Sequence, residues 1–412
     1  MERQMVNFPV DPQCPVKLFS RKFMKDPYPM LESMRETAAA VPVQDGGTRL
    51  WILTRYEDVR RILNGREFCK DMAAHRRELF ADNVIDPTKA PRIIFATRRS
   101  VLDRDGQDHR RLRSVLNPYF NDEAVNQLRP RIEASTESLI DRLPVGETVD
   151  LVWHFARPLI ATIIAECLGI PTEYVRDLTV WESRLITGSG VAEIEAAGRW
   201  FEKFGREMLA VKRREPADDI YTTLVRQYDQ DPRLMNEEEL LSTFIVLAIA
   251  GSEPASALTN CLSVLLSNLD QFDLLRADPG LMDAAIEECL RLESPFRMLP
   301  PRFTDEAIEI NGVTLPPRSL LVGSVAAANR DPRQFPNPDQ FDLTRPPGRH
   351  LSFSYGPHNC LGAGLGRLEV KVALQLLINR FPGMRLAVPS DDLQWRPGMY
   401  IRRLDRLPVI LK

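Results

Sequence analysis

Apolar residues recur at three- and four-residue intervals through most of the chain from about residue 107 to 290. HRRLRSVLNPYF, AVNQLRPRIEASTESLIDRL, WHFARPLIATIIAECLGI and AAGRWFEKFGREMLAVKRRE all show this spacing. It lays one apolar stripe along a helix, so these segments predict amphipathic helices sharing a core. Ahead of them, DPYPMLESMRE predicts a helix, LWILTR an extended strand, and YEDVRRILNG a helix closed by glycine. Behind them, EAIEINGVTLPPRSLLVGSV sets Asn311-Gly312 between two apolar runs and predicts a tight hairpin. With a closing helix in GRLEVKVALQLLINRF, the expected fold is mainly α with minor β.

The longest apolar pattern starts at Asn236, where NEEE places Glu239 three residues after an Asn N-cap, and runs to about Leu269. As a single helix rising about 1.5 Å per residue it would cross the whole domain, with its midpoint buried. Pro254 falls near that midpoint. In a helix interior, proline costs roughly 3 kcal/mol or more and breaks the bond to the carbonyl four residues back, here that of Ala250.

Composition adds bounds. The 412 residues are 44% hydrophobic and 27% charged, with no linker, charge block or repeat. One domain over residues 1–412 is expected, with about residues 1–25 as an extended N-terminal segment. A net charge of −3 gives no global attraction to nucleic acid or an anionic membrane. MERQMVNFPVDPQCP lacks the apolar core of a signal peptide, and LIATIIAECLGI and FIVLAIAG are too short to span a bilayer. These features predict a cytoplasmic monomer without a membrane partner.

Six cysteines, Cys14, Cys69, Cys167, Cys261, Cys289 and Cys360, are scattered without a CxxC pair, which argues against a disulfide framework or structural zinc. Most read as buried apolar fillers. Cys360 differs, because in LSFSYGPHNCLGAGLGRLE it stands at the end of a glycine-broken loop, close to a helix start. Free N–H groups and the positive helix end would lower its pKa and favour thiolate. Such a thiolate is a nucleophile or a soft metal ligand; a buried structural cysteine is the third reading. The nucleophile needs a base, and His358, two residues away, would point elsewhere in an extended segment. Zinc needs three or four clustered ligands.

The loop resembles the haem-binding loop of the cytochrome P450 superfamily, Phe-x-x-Gly-x-His/Arg-x-Cys-x-Gly, with Phe353, Gly356, His358, Cys360 and Gly362 at the matching positions. The resemblance implies the cytochrome P450 fold and haem b with Cys360 as its axial ligand, thiolate donation favouring O–O cleavage. Phe353 would screen the sulfur, Gly356 permit the turn, and Gly362 let the backbone approach the porphyrin. Glu288 and Arg291 match the family's Glu-x-x-Arg, and Arg345 the arginine that joins that pair, which implies a structural role around the cysteine loop. DGQDHRRLRSVL resembles the helix that offers His109 and Arg113 to the haem propionates; Arg302 and His358 match the remaining partners.

The same resemblance turns the central helix over the distal haem face, where the family reads close to Ala-Gly-x-Asp/Glu-Thr-Thr and this chain reads Ala250, Gly251, Ser252, Glu253, Pro254, Ala255. Ala250 and Gly251 would leave room for dioxygen, and Glu253 takes the acidic position. Pro254 replaces the hydroxyl-bearing threonine that helps bring protons to bound dioxygen. Protons would then come through waters, from an exposed Ala250 carbonyl holding one of them, or from a polar group of the substrate. Ser252 and Ser256, each two positions away, do not simply replace the threonine on a continuous helix.

The implied pocket draws on Val246, Ile249, Phe296, Arg297, Met298 and Met399, and on the loop from about Asp71 to Arg104. From Lys70 to Arg104 there are eight Lys/Arg against five Asp/Glu. An arginine such as Arg297 facing that pocket would need an anionic partner, which suggests a carboxylated substrate; solvent-facing charges are the alternative. The implied activity is mono-oxygenation of a specialised metabolite, with oxidative coupling or dealkylation as the alternative and a non-catalytic haem sensor as the outsider. Electrons would come from a ferredoxin or flavodoxin and its reductase, steered by Arg110, Arg111, Arg349 and Arg367.

Overall fold

The computed structural model describes residues 21–45, 48–71, 74, 75, 79, 84, 99–187, 190–346 and 348–412. Helices over Gly106–Leu116, Asp122–Gln127, Arg129–Ile140, Arg157–Leu168, Val175–Thr187, Val191–Arg214 and Ile220–Gln230 lead to the central column, and Leu269–Ala277, Met282–Leu292 and Ala363–Arg380 follow it. Together they bury one large apolar cluster. The run predicted from AVNQL to RL is split in two, since Pro130 stands in the first turn of the second helix, where its missing N–H costs little.

The strands are β1 (Ala40–Asp45), β2 (Thr48–Leu53), β3 (Thr148–Asp150), β4 (Arg302–Thr304), β5 (Ile308–Ile310), β6 (Val313–Leu315), β7 (Ser319–Gly323), β8 (Arg385–Leu386) and β9 (Pro408–Ile410). A four-stranded sheet runs in the order β1-β2-β7-β4, with β2 and β7 parallel and the outer pairs antiparallel. Its side chains alternate between two apolar clusters: Leu50, Ile52, Leu320 and Val322 on one face, Trp51, Leu53 and Leu321 on the other. The Asn311-Gly312 hairpin forms between β5 and β6, both turn residues carrying positive φ, 43° and 85°. Arg21–Lys25 is a short helix instead of the expected extended chain. It tucks Phe23 and Met24 into the first of those sheet clusters. Residues 1–20 lie outside the described residues.

The central column departs most from expectation. It is two helices, Glu237–Ala250 and Pro254–Ser267, separated by a turn through Gly251–Glu253. The capping box at Asn236 and Glu239 is present, each backbone N–H meeting the other's side chain at 2.9 Å. Glu237–Ser267 taken together is long and apolar enough to cross a membrane, yet 67% of its most apolar window is buried inside the protein, as in a core helix. Against this column packs the Arg157–Leu168 helix, entered through a π-helical turn at Val152–Ala156. A side chain at Gly251 would collide with its Ile164, so the small residue there answers a close approach of helices.

Candidate functional site

The loop that carries Cys360 is shaped by Gly356, whose φ is +71°. A Cβ there would come within 2.8 Å of Asn64 Oδ1 and 2.9 Å of the Leu63 carbonyl, so only glycine lets the turn pass the Tyr56–Asn64 helix. The loop closes where the Cys360 N–H donates to the Phe353 carbonyl at 2.8 Å. Phe353 is clamped in turn: the Arg367 guanidinium lies 4.1 Å from its ring centre and grips Glu287 at 2.7 and 2.8 Å. Cys360 is accessible, whereas Cys167, Cys261 and Cys289 are buried and Cys69 is half-buried; Cys14 lies outside the described residues. The expected lowering of the Cys360 pKa is corrected. Desolvation by surrounding protein pushes the thiol up, outweighing the Gly362 N–H, Arg113 and Arg367.

Beside the loop lies a cluster of cationic and donor groups. His358 and His109 lie with ring centres 4.1 Å apart and tilted by 44°, and His358 Nε2 is 3.2 Å from Asp105 Oδ1. Asp105 immediately precedes the Gly106–Leu116 helix and also accepts from the Lys70 and Asp71 backbone N–H groups and the Cys69 thiol. Against the effect of burial, the His358 and backbone bonds hold its carboxyl below the usual range. Burial pushes His358 down to about 3, with Lys70, Arg302 and His109 adding to the shift. Burial likewise lowers His109 and brings Arg302 down to about 10. His109 Nε2 and Arg302 Nε are buried and have no hydrogen-bond partner. Orphaned donors converging from a helix and a strand are chemically suited to a carboxylate ligand.

Arg113 does not join them. One turn beyond His109 on the same helix, it donates to the Asn359 carbonyl at 2.9 Å and to Asn117 Oδ1 at 3.1 Å, bracing the residue before Cys360. Gly362 has open space where a Cβ would stand, with nothing within 4 Å. Deeper in the protein, Glu288 accepts from Arg291 at 2.7 and 2.8 Å and from Arg345 at 2.9 Å. The two arginines spend their other donors on the carbonyls of Asn329, Pro336, Asn337, Pro338 and Gln340, nailing that irregular segment down.

On the opposite wall, Ala250 is exposed and Val246, Ile249 and Pro254 are half-buried, although the column around them is almost entirely buried. Residues spaced by three and four share one helix face. Pro254 reaches the helix behind Cys360, its Cγ standing 3.7 Å from the Cβ position of Gly366. The Ala250 carbonyl is not free, as the sequence suggested: the Glu253 N–H reaches it at 3.2 Å. Because Pro254 is the first residue of the second helix, its missing N–H is one that no intrahelical bond requires. Ser252 donates to the Ile249 carbonyl at 2.7 Å. Glu253 is buried, its carboxyl oxygens without a well-formed hydrogen bond and with the Ser256 hydroxyl beside them.

The remaining pocket candidates divide. Phe296 and Met399 are half-buried, but Met298 is fully buried in the N-terminal sheet cluster. Arg297, fully buried as well, lies 5.2 Å from the Phe23 ring centre and donates to Met24 Sδ at 3.1 Å, with no carboxylate paired to it among the described residues. Most of the loop from 72 to 98 lies outside the described residues. Of the four arginines expected on a basic face, Arg111 is paired with Glu239 and Asp108 and Arg367 with Glu287; Arg110 and Arg349 remain exposed. Sequence reasoning missed Asp105 and Asn359 beside the cysteine, and Arg157, Glu182 and Arg403 beside Glu253. For Asp105 the signal was there, an acidic residue in N-cap position before GQDH.

Comparison with known proteins follows this geometry. The family description "Cytochrome P450" matches residues 201–384. The chain is 36% identical to cytochrome P450 107B1 of Saccharopolyspora erythraea, over 95% of this chain and 96% of that one. It is 34% identical to 6-deoxyerythronolide B hydroxylase of the same organism, over 96% and 98%. The structure of the tirandamycin C-bound P450 monooxygenase TamI superposes with a TM-score of 0.89 at 36% identity, covering 95% of this chain and 99% of that one. Over nearly its whole length the chain matches these proteins, and it belongs to the cytochrome P450 superfamily, of the bacterial type.

Proposed function

We propose that this P450-type enzyme oxidises a small specialised metabolite with dioxygen and two electrons, with haem b held on Cys360. The observation that carries the reading is the accessible Cys360 together with the buried, unpartnered His109 Nε2 and Arg302 Nε, and a half-buried to exposed face at Val246, Ile249 and Ala250 on an otherwise buried column. His109 and Arg302 would take the propionates, Gly362 has the clearance a flat ring needs, and Phe353 would shield the sulfur. Haem in this family supplies an iron that activates dioxygen, tuned by its cysteine thiolate. Arg113 supports the site through Asn359, next to the ligand, and the Glu288, Arg291 and Arg345 set holds the fold beneath it. Electrons would arrive from a ferredoxin or flavodoxin with its reductase, met by Arg110 and Arg349.

On the distal side, the chain's own groups must hold and move protons without a hydroxyl at position 254. Ser252 is committed to Ile249, so the chain's own proton-handling group at the break would be the buried Glu253, with the Ser256 hydroxyl beside it. This favours hydroxylation with altered proton delivery, and keeps aryl coupling or dealkylation of an aromatic carboxylated substrate as a second reading, the coupling because it draws less on that relay. Relatives bearing the names of 6-deoxyerythronolide B and tirandamycin C support a specialised metabolite as substrate. Arg297, fully buried with Nε and Nη2 unpartnered, keeps a carboxylated substrate as the alternative.

The decisive test is optical. Ferrous protein with carbon monoxide should show the red-shifted Soret band of a thiolate-ligated haem, and Cys360→Ala should abolish it. A normal band in Cys360→Ala would overturn the assignment. Pro254→Thr tests the distal reading: product formed per reductant consumed should change, and an unchanged ratio removes any special role for the proline.

A further inference from the structure

At the helix break lies a cavity of about 30 Å³ whose walls include Arg157, Glu182, Ser252, Ala255, Ser256 and Arg403. Three elements meet the break there: the Arg157–Leu168 helix, the Val175–Thr187 helix and the C-terminal segment bearing Arg403. A buried ion chain is built into the walls. Glu182 Oε1 lies 2.9 Å from Arg403 Nη1, and Glu182 Oε2 lies 3.3 Å from Arg157 Nη2. Arg157 also donates to the Thr179 carbonyl at 3.0 Å.

The chain is incomplete in two respects. Arg157 Nε, Arg403 Nε and Arg403 Nη2 are buried without a hydrogen-bond partner, on side chains only 10% and 6% exposed. Two guanidiniums against one carboxylate also leave one positive charge over among the described lining residues. Arg396, which adds to the positive field on Arg157, brings no relief, being itself paired with Asp405 at 2.9 Å. Glu253 is no standing counter-charge either: it is not among the lining residues, and burial pushes its carboxyl up to about 7. The positive end of the Pro254–Ser267 helix dipole, at the wall formed by Ala255 and Ser256, acts with the same sign.

We propose that this cavity is a binding site for one small monovalent anion of chloride size, held by Arg157 and Arg403 against the first turn of the second central helix. A water needs roughly 10–15 Å³, so the space admits an ion somewhat larger than water. Water would satisfy the orphaned donors and leave the charge. An anion satisfies both, through charge-assisted hydrogen bonds. Taking an ion out of water is costly, but the two guanidiniums are already desolvated by the fold, so binding does not incur their share again. An anion so held ties the break to the three elements that meet there, and its role is to hold the fold together.

The test uses the haem-loaded protein in sodium gluconate, an anion too large for the cavity, titrated with sodium bromide at constant ionic strength. Crystals grown with bromide should show its anomalous scattering inside the cavity, and the thermal unfolding midpoint should rise to a plateau. Arg403→Gln removes the excess charge and should raise the half-saturating bromide concentration at least about tenfold; Glu182→Gln doubles the excess and should lower it by about as much. Should Arg403→Gln fail to fold, Ala161→Leu, which fills the cavity from the Arg157–Leu168 helix without changing charge, should abolish the response. A cavity without a bromide peak, or two charge variants that move affinity the same way, overturns the proposal. A peak with no response of the midpoint marks an adventitious ion only and overturns it as well. Binding that appears only in Glu253→Gln would make the Glu253 carboxylate the native counter-charge, and the site would fall.

Discussion

Arg345 Nε lies 2.9 Å from Glu288 Oε1 across 57 positions of sequence, making the second guanidinium on a carboxylate that Arg291 already grips. The contact ties the segment before the cysteine loop to the Met282–Leu292 helix. Removing one partner strands buried charge, and such losses run to about 3–5 kcal/mol. Arg345→Ala should lose stability on that scale in denaturant unfolding, and lose haem with it. A change below about 1 kcal/mol would show that the pair is no more than surface decoration.

Gly356 is held at φ +71° against Asn64. Alanine there meets both left-handed strain, about 1–2 kcal/mol, and a collision with the Leu63 and Asn64 backbone. Gly356→Ala should therefore cost about 2 kcal/mol or more, read as a lower midpoint for haem release on heating. An unaltered midpoint would mean that the loop can pass the helix another way.

Glu253 makes stability depend on pH. Its folded pKa of about 7 is raised above the ordinary 4.5, so the folded state holds a proton that the unfolded chain has released. The contribution is complete below about pH 4.5, is lost progressively up to about pH 7, and stays lost above it. The whole swing is on the order of 3 kcal/mol. Glu253→Gln should remove it, gaining on the unsubstituted protein between pH 5 and pH 8 in paired unfolding curves. Parallel curves would place the titration elsewhere.

Pro254→Ala should change unfolding free energy by no more than about 1 kcal/mol, because Pro254 opens a helix and breaks no intrahelical bond. A loss of about 3 kcal/mol or more would return the residue to a helix interior.

How much could be foreseen varies with the reach of the interaction. The capping box at Asn236 and the Asn311-Gly312 hairpin are local, and a few adjacent residues suffice to specify them. Glu288, Arg291 and Arg345 were readable from family spacing, but their grip on the carbonyls of Pro336 to Gln340 depends on how an irregular segment folds back. Pro254 is visible as a helix problem, while the turn at Gly251–Glu253 that accommodates it sits where Ile164 of another helix leaves no room for a side chain on Gly251, a contact that only the packing of two distant segments sets. Arg157, Glu182 and Arg403 had no legible signal at all: their ion pairs span 25 and 221 positions, and each looks alone like an ordinary surface charge. The Cys360 pKa went the wrong way because sequence shows the helix start and hides the desolvation.

The π-helical turn at Val152–Ala156 inserts an odd residue just where the chain enters the helix that begins at Arg157. Deleting one residue there would restore an ordinary helical register and look harmless by composition. It would also rotate everything downstream about 100° relative to the chain before it. Either Arg157 would swing off Glu182 or the helix packed on Gly251 would have to turn, so the spacing of one backbone irregularity sets whether the polar chain reaches the other.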